Sequence, residues 1–485
     1  MYLGIDLGTS SVKTVVLDER GSPVAQASAP LSVSRPRPGY SEQDPEAWWR
    51  ATLDAVTALP LSARAAVRAV GVSGQMHGAT LLDERDRPLR PAILWNDGRA
   101  DAECRELERR VPGARAITGT IVMPGFTAPK LLWIARHEPD LFQSTCTVLL
   151  PKDFIRLRLT GEKVSDLSDA SGTAWLDVAQ RDWSDAMLEG TGLSRVHMPR
   201  LIEGAAISGR LRPEIAQQLG LTPVPVAGGG GDNAASAVGL GVVAPGQTVL
   251  SLGTSGVLFV VTDRFRPNPQ QAAHAFCHCL PARWHQMAVL LSAASTLDWV
   301  AQALGSPLTA LVERASERGL RRETPYMLPY LTGERTPHND PNASGVLFGL
   351  RADTDPADIA VAALEGVALA LADGRDVLRA AGGTLGDISV TGGGARLAFW
   401  GELIAAALNS PLSYRTDSEP GAARGAARLA RLSVSGESIE EVCGEPQLRR
   451  TVVPDASLVA LLAERRPLFQ RLYRQLQDVF QESGT

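Results

Sequence analysis

The sequence predicts an α/β protein built from two duplicated domains, with mixed sheets flanking a central cleft. Three observations carry this. The chain has 485 residues, and single apolar cores usually stop growing near ~250–300 residues, so it should divide. A segment repeats without a gap at an offset of 245: residues 5–18 run beside residues 250–263, and Leu7-Gly8-Thr9-Ser10 returns as Leu252-Gly253-Thr254-Ser255. Each half then continues through a similar succession of apolar strands, helices and Gly-rich turns.

In the first half, residues 3–6, 11–18 and 23–29 read as strands. They are separated by the Gly-Thr-Ser turn and by Glu19-Arg20-Gly21-Ser22. Asp44-Pro45-Glu46 is a helix start, an N-cap followed by proline at the first helical position. That helix should run towards Leu59. A short strand over 69–72 ends in Gly74-Gln75-Met76-His77-Gly78. A strand over 224–227 enters Gly228-Gly229-Gly230-Gly231-Asp232-Asn233 and an Ala-rich helix.

The second half repeats the logic. After its hairpin, the spacing predicts a buried helix over 356–381, stopped by Gly382-Gly383. A strand over 388–390 ends in Gly392-Gly393-Gly394. A strand over 414–419 leads through Gly421-Ala422-Ala423 into another Ala-rich helix. The boundary should fall near 243–246, giving units 1–244 and 245–436, with a helical tail over 437–485 that is amphipathic across 458–480.

Composition narrows the function. Hydrophobic residues make up 44% and charged residues 21%, ordinary for a globular protein. The net charge of −5 and pI near 5.9 offer no basic face for nucleic acid or membrane. No apolar run approaches the ~18–20 residues needed to cross a bilayer. No signal peptide is expected, because a basic leader is missing and Asp6 interrupts the first apolar run. Five scattered cysteines fit reduced thiols in a cytoplasm better than a disulfide framework.

The Gly-Thr-Ser turns are the first candidate site. Glycine lets the backbone approach a phosphate, and hydroxyls add donors. A single such turn is explained as a polar hairpin. Two copies at matched positions point to a polyphosphate clamp formed by Gly8, Thr9, Ser10, Gly253, Thr254 and Ser255. Asp6 in the first copy is Ser251 in the second. A carboxylate beside a phosphate repels it unless a cation intervenes, so Asp6 is either a turn residue or a Mg²⁺ site. Asp232, after four glycines, is either a helix cap or an acid placed to accept a hydroxyl proton. The Gly392–Gly394 turn admits a flat ring or ribose, or it marks close packing of helix on strand. Cys277-His278-Cys279 lacks a second cysteine pair to close a tetrahedral metal site.

No G-x-x-x-x-G-K-[ST], protein-kinase set or dinucleotide-binding G-x-G-x-x-G fingerprint is present, so ATP use requires the two-turn clamp. The doubled hairpin resembles that of the actin-like, ribonuclease H-like ATPases, which include sugar kinases and Hsp70. Gly125-Phe126-Thr127-Ala128-Pro129-Lys130-Leu131-Leu132-Trp133-Ile134 is similar to one signature of the FGGY carbohydrate kinases. Gly345-Val346-Leu347-Phe348-Gly349-Leu350, continued through Asp358-Ile359 and Ala362-Ala363-Leu364-Glu365, is similar to the other. Further resemblance lies in Ser73–Gly78, Leu94-Trp95-Asn96-Asp97, Leu150-Pro151-Lys152-Asp153, Gly231-Asp232-Asn233 and Gly333-Glu334-Arg335-Thr336-Pro337-His338.

This resemblance implies phosphoryl transfer from ATP, with Mg²⁺, to the 5-hydroxyl of D-xylulose. Ribulose, gluconate and glycerol are the alternative substrates, and a sugar-independent ATPase is the remote one. It implies Asp232 as general base, and Gln75, Met76, His77, Asp232 and Asn233 as sugar contacts. It further implies Asp6 and Asp232 as metal candidates, and Gly393 and Gly394 as the adenosine contact. A homodimer is compatible with it, and no segment marks an interface.

Overall fold

The computed structural model describes residues 1–416 and 421–483. Two large mixed sheets dominate it. In the first, the strands Pro23–Pro30, Ser11–Leu17, Tyr2–Leu7, Ala69–Gly74, Pro225–Ala227 and Ile207–Arg210 lie in that spatial order. The strand Tyr2–Leu7 pairs antiparallel with Ser11–Leu17 and parallel with Ala69–Gly74. The second sheet repeats this around Thr248–Leu252, antiparallel to Gly256–Thr262 and parallel to Ile388–Thr391. Beyond these lie Trp284–Leu290 on one side and Leu412–Arg415 on the other. The sequence repeat is therefore a repeat of topology, and each Gly-Thr-Ser turn joins the two central antiparallel strands of its sheet.

Local chemistry explains the principal elements. Asp44 caps the helix Pro45–Thr57 by accepting the Glu46 N–H at 3.0 Å, and Trp48 and Trp49 bury its inner face. Asp355 and Asp358 cap the helix Pro356–Ala380 reciprocally. That helix is buried along most of its length at the centre of the second core. It ends where Gly382 turns at φ +82°.

Two features depart from the sequence reading. The segment after residue 437, expected to be helical, contains the strand Leu448–Val452, which pairs with Leu412–Arg415 at the edge of the second sheet. The amphipathic helix follows as Ala456–Ser483, anchored by the buried Arg465–Glu365 ion pair. The Ala-rich helix Gly421–Ser435 follows the second sheet in sequence yet packs on the first. A Cβ on Gly4 would sit 1.9 Å from the Ala423 carbonyl oxygen, and one on Gly71 1.9 Å from that of Ala426. On the same helix, a Cβ on Gly425 would sit 1.8 Å from the Ala235 carbonyl oxygen. Glycine on both surfaces removes the side chains that would hold the backbones apart. The expected strand over 414–419 is seen to Arg415, and residues 417–420 lie outside the described residues.

No helix among the described residues is long and apolar enough to cross a membrane.

Candidate active site

A cavity of about 910 Å³ opens between the sheets. Asp6, Asp232 and Asn233 line it from the first unit, and Ser251, Thr391 and Gly392 from the second. Asp6 is held by sheet register, with Lys13 opposite on one neighbour and Ser73 on the other. Asp232 opens the helix Asp232–Gly239, and its Oδ1 accepts the Asn233 backbone N–H at 2.7 Å and side-chain Nδ2–H at 3.0 Å.

The two carboxylates shape each other. Burial raises Asp232 to about 7, the Asp6 charge adds to the rise, and the Asn233 donors offset part of it. Burial raises Asp6 to about 6 against Lys13 and Ser73. Asp6 Oδ1 is buried without a hydrogen-bond partner. An orphaned carboxylate oxygen facing a second carboxylate fits a divalent cation. Among the described residues, no group of three or more His, Cys, Asp or Glu could hold a metal. Phosphate oxygens and water would therefore complete the shell around Asp6 and Asp232, as is usual for Mg²⁺.

The first phosphate turn is tied inward. Thr9 Oγ1 donates to Gln75 Oε1 at 3.0 Å and accepts from Trp95 Nε1 at 3.0 Å. Gln75 Nε2 donates to Gln43 Oε1 at 2.9 Å, and Gln43 Nε2 returns to the Thr9 carbonyl at 2.7 Å. This network bears on two expectations without testing them. Thr9 commits its hydroxyl proton to Gln75, which leaves backbone N–H groups and Ser10 for a phosphate. Gln75, read as a sugar contact, is buried and braces the turn.

The second turn is braced by different groups. The N–H groups of Ala293 and Ala294 donate to the carbonyls of Thr254 and Gly253 at 2.9 and 3.0 Å. Thr9, Ser10, Thr254 and Ser255 do not line the 910 Å³ cavity, whereas Ser251 does. At the third Gly turn, Gly392 approaches the Leu252 carbonyl too closely for a side chain, and a Cβ on Gly393 would meet nothing within 4 Å. Gly394 is packed against Trp400, so the open backbone face there belongs to Gly393.

Met76 lies beside the Gly228–Asp232 turn and His77 beside Gly172. A Cβ on Gly231 would sit 2.9 Å from Met76 Sδ, and one on Gly172 2.6 Å from His77 Nδ1. His77 takes φ +71°, stacks on Phe126 at 4.7 Å, and places Nδ1 2.6 Å from the Gly172 carbonyl. A carbonyl only accepts, so Nδ1 carries the proton and Nε2 is left as an acceptor. Burial drives the ring down to about 3, so it is neutral at physiological pH.

A buried charge cluster holds the Gly turn from behind. Lys152 Nζ lies 2.5, 2.7 and 3.2 Å from Asp153, Asp166 and Asp169. Arg156 pairs with Asp153 at 2.6 Å and donates to the Gly228 carbonyl. Ser168 Oγ donates to Asp166 and accepts the Gly231 N–H at 3.1 Å. Burial pushes Asp169 well above the usual carboxylate range. The segment Leu150–Asp153 carried resemblance without a role, and this cluster supplies one: it fixes the backbone on which Asp232 stands.

Residues 1–239 match the model of the FGGY family of carbohydrate kinases, N-terminal domain, and residues 248–434 match its C-terminal domain. The chain is 54% identical to the xylulose kinase of Escherichia coli (strain K12) over 479 residues, covering 98% of this chain and 99% of that protein. It is 51% identical to the xylulose kinase of Klebsiella pneumoniae over 482 residues, covering 99% and 100%. A solved xylulose kinase from Rhodospirillum rubrum superposes with a TM-score of 0.93 at 28% identity, covering 99% of each chain. The duplicated sheets, the matched turns and both halves of the family model agree: the chain belongs to the FGGY family of carbohydrate kinases.

Proposed function

We propose that this protein transfers the γ-phosphoryl group of ATP to the 5-hydroxyl of D-xylulose, giving D-xylulose 5-phosphate and ADP, as a cytoplasmic enzyme of xylose catabolism that feeds the pentose phosphate pathway. The pairing of Asp6 and Asp232 at the floor of the inter-sheet cavity carries the reading. Full-length similarity to xylulose kinases supports the choice of sugar. Asp232 takes the hydroxyl proton as the oxygen attacks phosphorus, and a group raised to about 7 is suited to that task near neutral pH. Mg²⁺ held by Asp6 and Asp232 supplies neutralising charge to the phosphates when bound. Met76, His77 and Asn233 orient the sugar, and the Gly8–Ser10 and Gly253–Ser255 turns embrace the phosphates. The open backbone at Gly393 accepts adenosine. Closure of the cleft excludes water, which otherwise competes with the sugar as nucleophile.

The test is ADP release across D-xylulose, D-ribulose, L-ribulose, gluconate and glycerol. Strongest stimulation by D-xylulose is expected, and turnover indifferent to all five contradicts the reading.

A further inference from the structure

A second cavity, of about 730 Å³, adjoins His77 and is lined from both units, by His77, Asn96 and Phe126 on one side and Leu291, Glu334 and Arg335 on the other. Its acids are engaged elsewhere. Asp97 pairs with Arg99 at 2.7 Å, Asp101 with Arg105 at 2.8 Å and Glu108 with Arg115 at 2.7 Å. Glu334 Oε1 accepts the N–H groups of Leu291 and Arg335 at 2.9 and 2.7 Å, and burial raises this acid to about 8. Arg335 itself makes no ion pair or side-chain hydrogen bond with any described residue. Its charge bears on His77 and His274, which burial keeps neutral. A guanidinium stays protonated in proteins, and Arg335, half-buried in the cavity wall with only the neighbouring Glu334 charge acting on it, keeps its donors open to a ligand that supplies acceptor atoms.

The chemistry of the substrate says which atoms these are. Phosphorylation at O5 requires that oxygen to be free, so the ketopentose reacts in its open-chain form with the C2 carbonyl exposed. A sugar with O5 at Asp232 that passes Met76 and His77 directs its carbonyl end into this second cavity. His77 Nε2 only accepts, and serves a hydroxyl proton. Arg335 only donates, and serves an oxygen with lone pairs. We propose that Arg335 binds the carbonyl end of the open-chain ketose from the second unit and sets the preference for ketoses over polyols. This rests on the reading of the site given above.

Steady-state kinetics of Arg335→Ala and Arg335→Lys, with D-xylulose, xylitol and ATP each varied, test it. Loss of a charged hydrogen bond predicts a KM for D-xylulose raised about tenfold or more in Arg335→Ala. The KM for ATP should stay within about twofold. The kcat/KM preference for D-xylulose over xylitol should shrink, and Arg335→Lys should recover part of the loss. Arg335→Gln serves if the alanine variant is insoluble. A smaller rise in sugar KM, an equal rise for ATP, or an unchanged ketose-to-polyol ratio overturns the proposal while leaving the kinase reading intact. Wild-type protein that no ketose stimulates overturns that reading itself, and the proposal with it.

Discussion

Asp6 and Asp232 were legible in the sequence because each breaks a pattern: one is the mismatch within a repeat, the other the lone acid after four glycines. Their coupling was not legible, since it depends on two strands and a helix meeting across 226 positions. It has a signed consequence for stability. Both acids have folded-state values, about 6 and about 7, above the ~3.9 of an unfolded aspartate. The folded protein therefore binds extra protons between roughly pH 4 and 7, and its stability falls as pH rises through that window. Asp232→Asn should raise the melting temperature of the ligand-free protein more at pH 8 than at pH 5. An equal gain at both would show that the pair is not strained. In the wild type, kcat/KM should fall as pH drops below about 7, because the base must be unprotonated. Asp6→Asn should demand more Mg²⁺ for half-maximal rate while moving the sugar KM less than about twofold. An unchanged Mg²⁺ titration removes the metal role. Gln75 shows where sequence reading stops: Met76 packs on Gly231 and His77 on Gly172, while the Gln75 amide bonds Thr9 and Gln43. Side-chain direction there is a tertiary fact.

Among elements, the central strands and the long helix were legible because apolar runs, caps and glycine stops agree with one another. The partner of the helix Gly421–Ser435 was not. A glycine such as Gly71 reads in sequence as a weak point in a strand, and only the fold shows it to be a contact surface. A Cβ at Gly71 would lie 1.9 Å from the Ala426 carbonyl oxygen, which is backbone and has little room to retreat. Gly71→Ala should therefore destabilise by about 3 kcal/mol, the upper part of the overpacking range, read as a lower urea midpoint. Gly444→Ala meets nothing within 4 Å and should change stability by less than about 0.5 kcal/mol. Equal effects of the two would mean that the helix does not approach the sheet so closely. The strand Leu448–Val452 escaped the sequence reading because it is an exposed edge, without the apolar alternation that marks a half-buried strand.

At the scale of the whole molecule, duplication was legible and the division of labour within it was partly so. The first unit holds both carboxylates and the His77 turn, while the second contributes Ser251, Gly392 and the open backbone of Gly393. The buried cluster around Lys152 links the interior of the first unit to the Gly228–Asp232 turn. The proposed mechanism would bring the two halves of one repeated pattern together around a sugar hydroxyl and a phosphate, with Asp232 as the base between them. The most direct test is the coupled release of ADP by Asp232→Ala with D-xylulose, beside ATP binding measured by calorimetry on the same preparation. Sugar-dependent turnover should fall by at least about a thousandfold while ATP affinity stays within about twofold of wild type. Turnover near the wild-type rate in that variant would contradict Asp232 as the base.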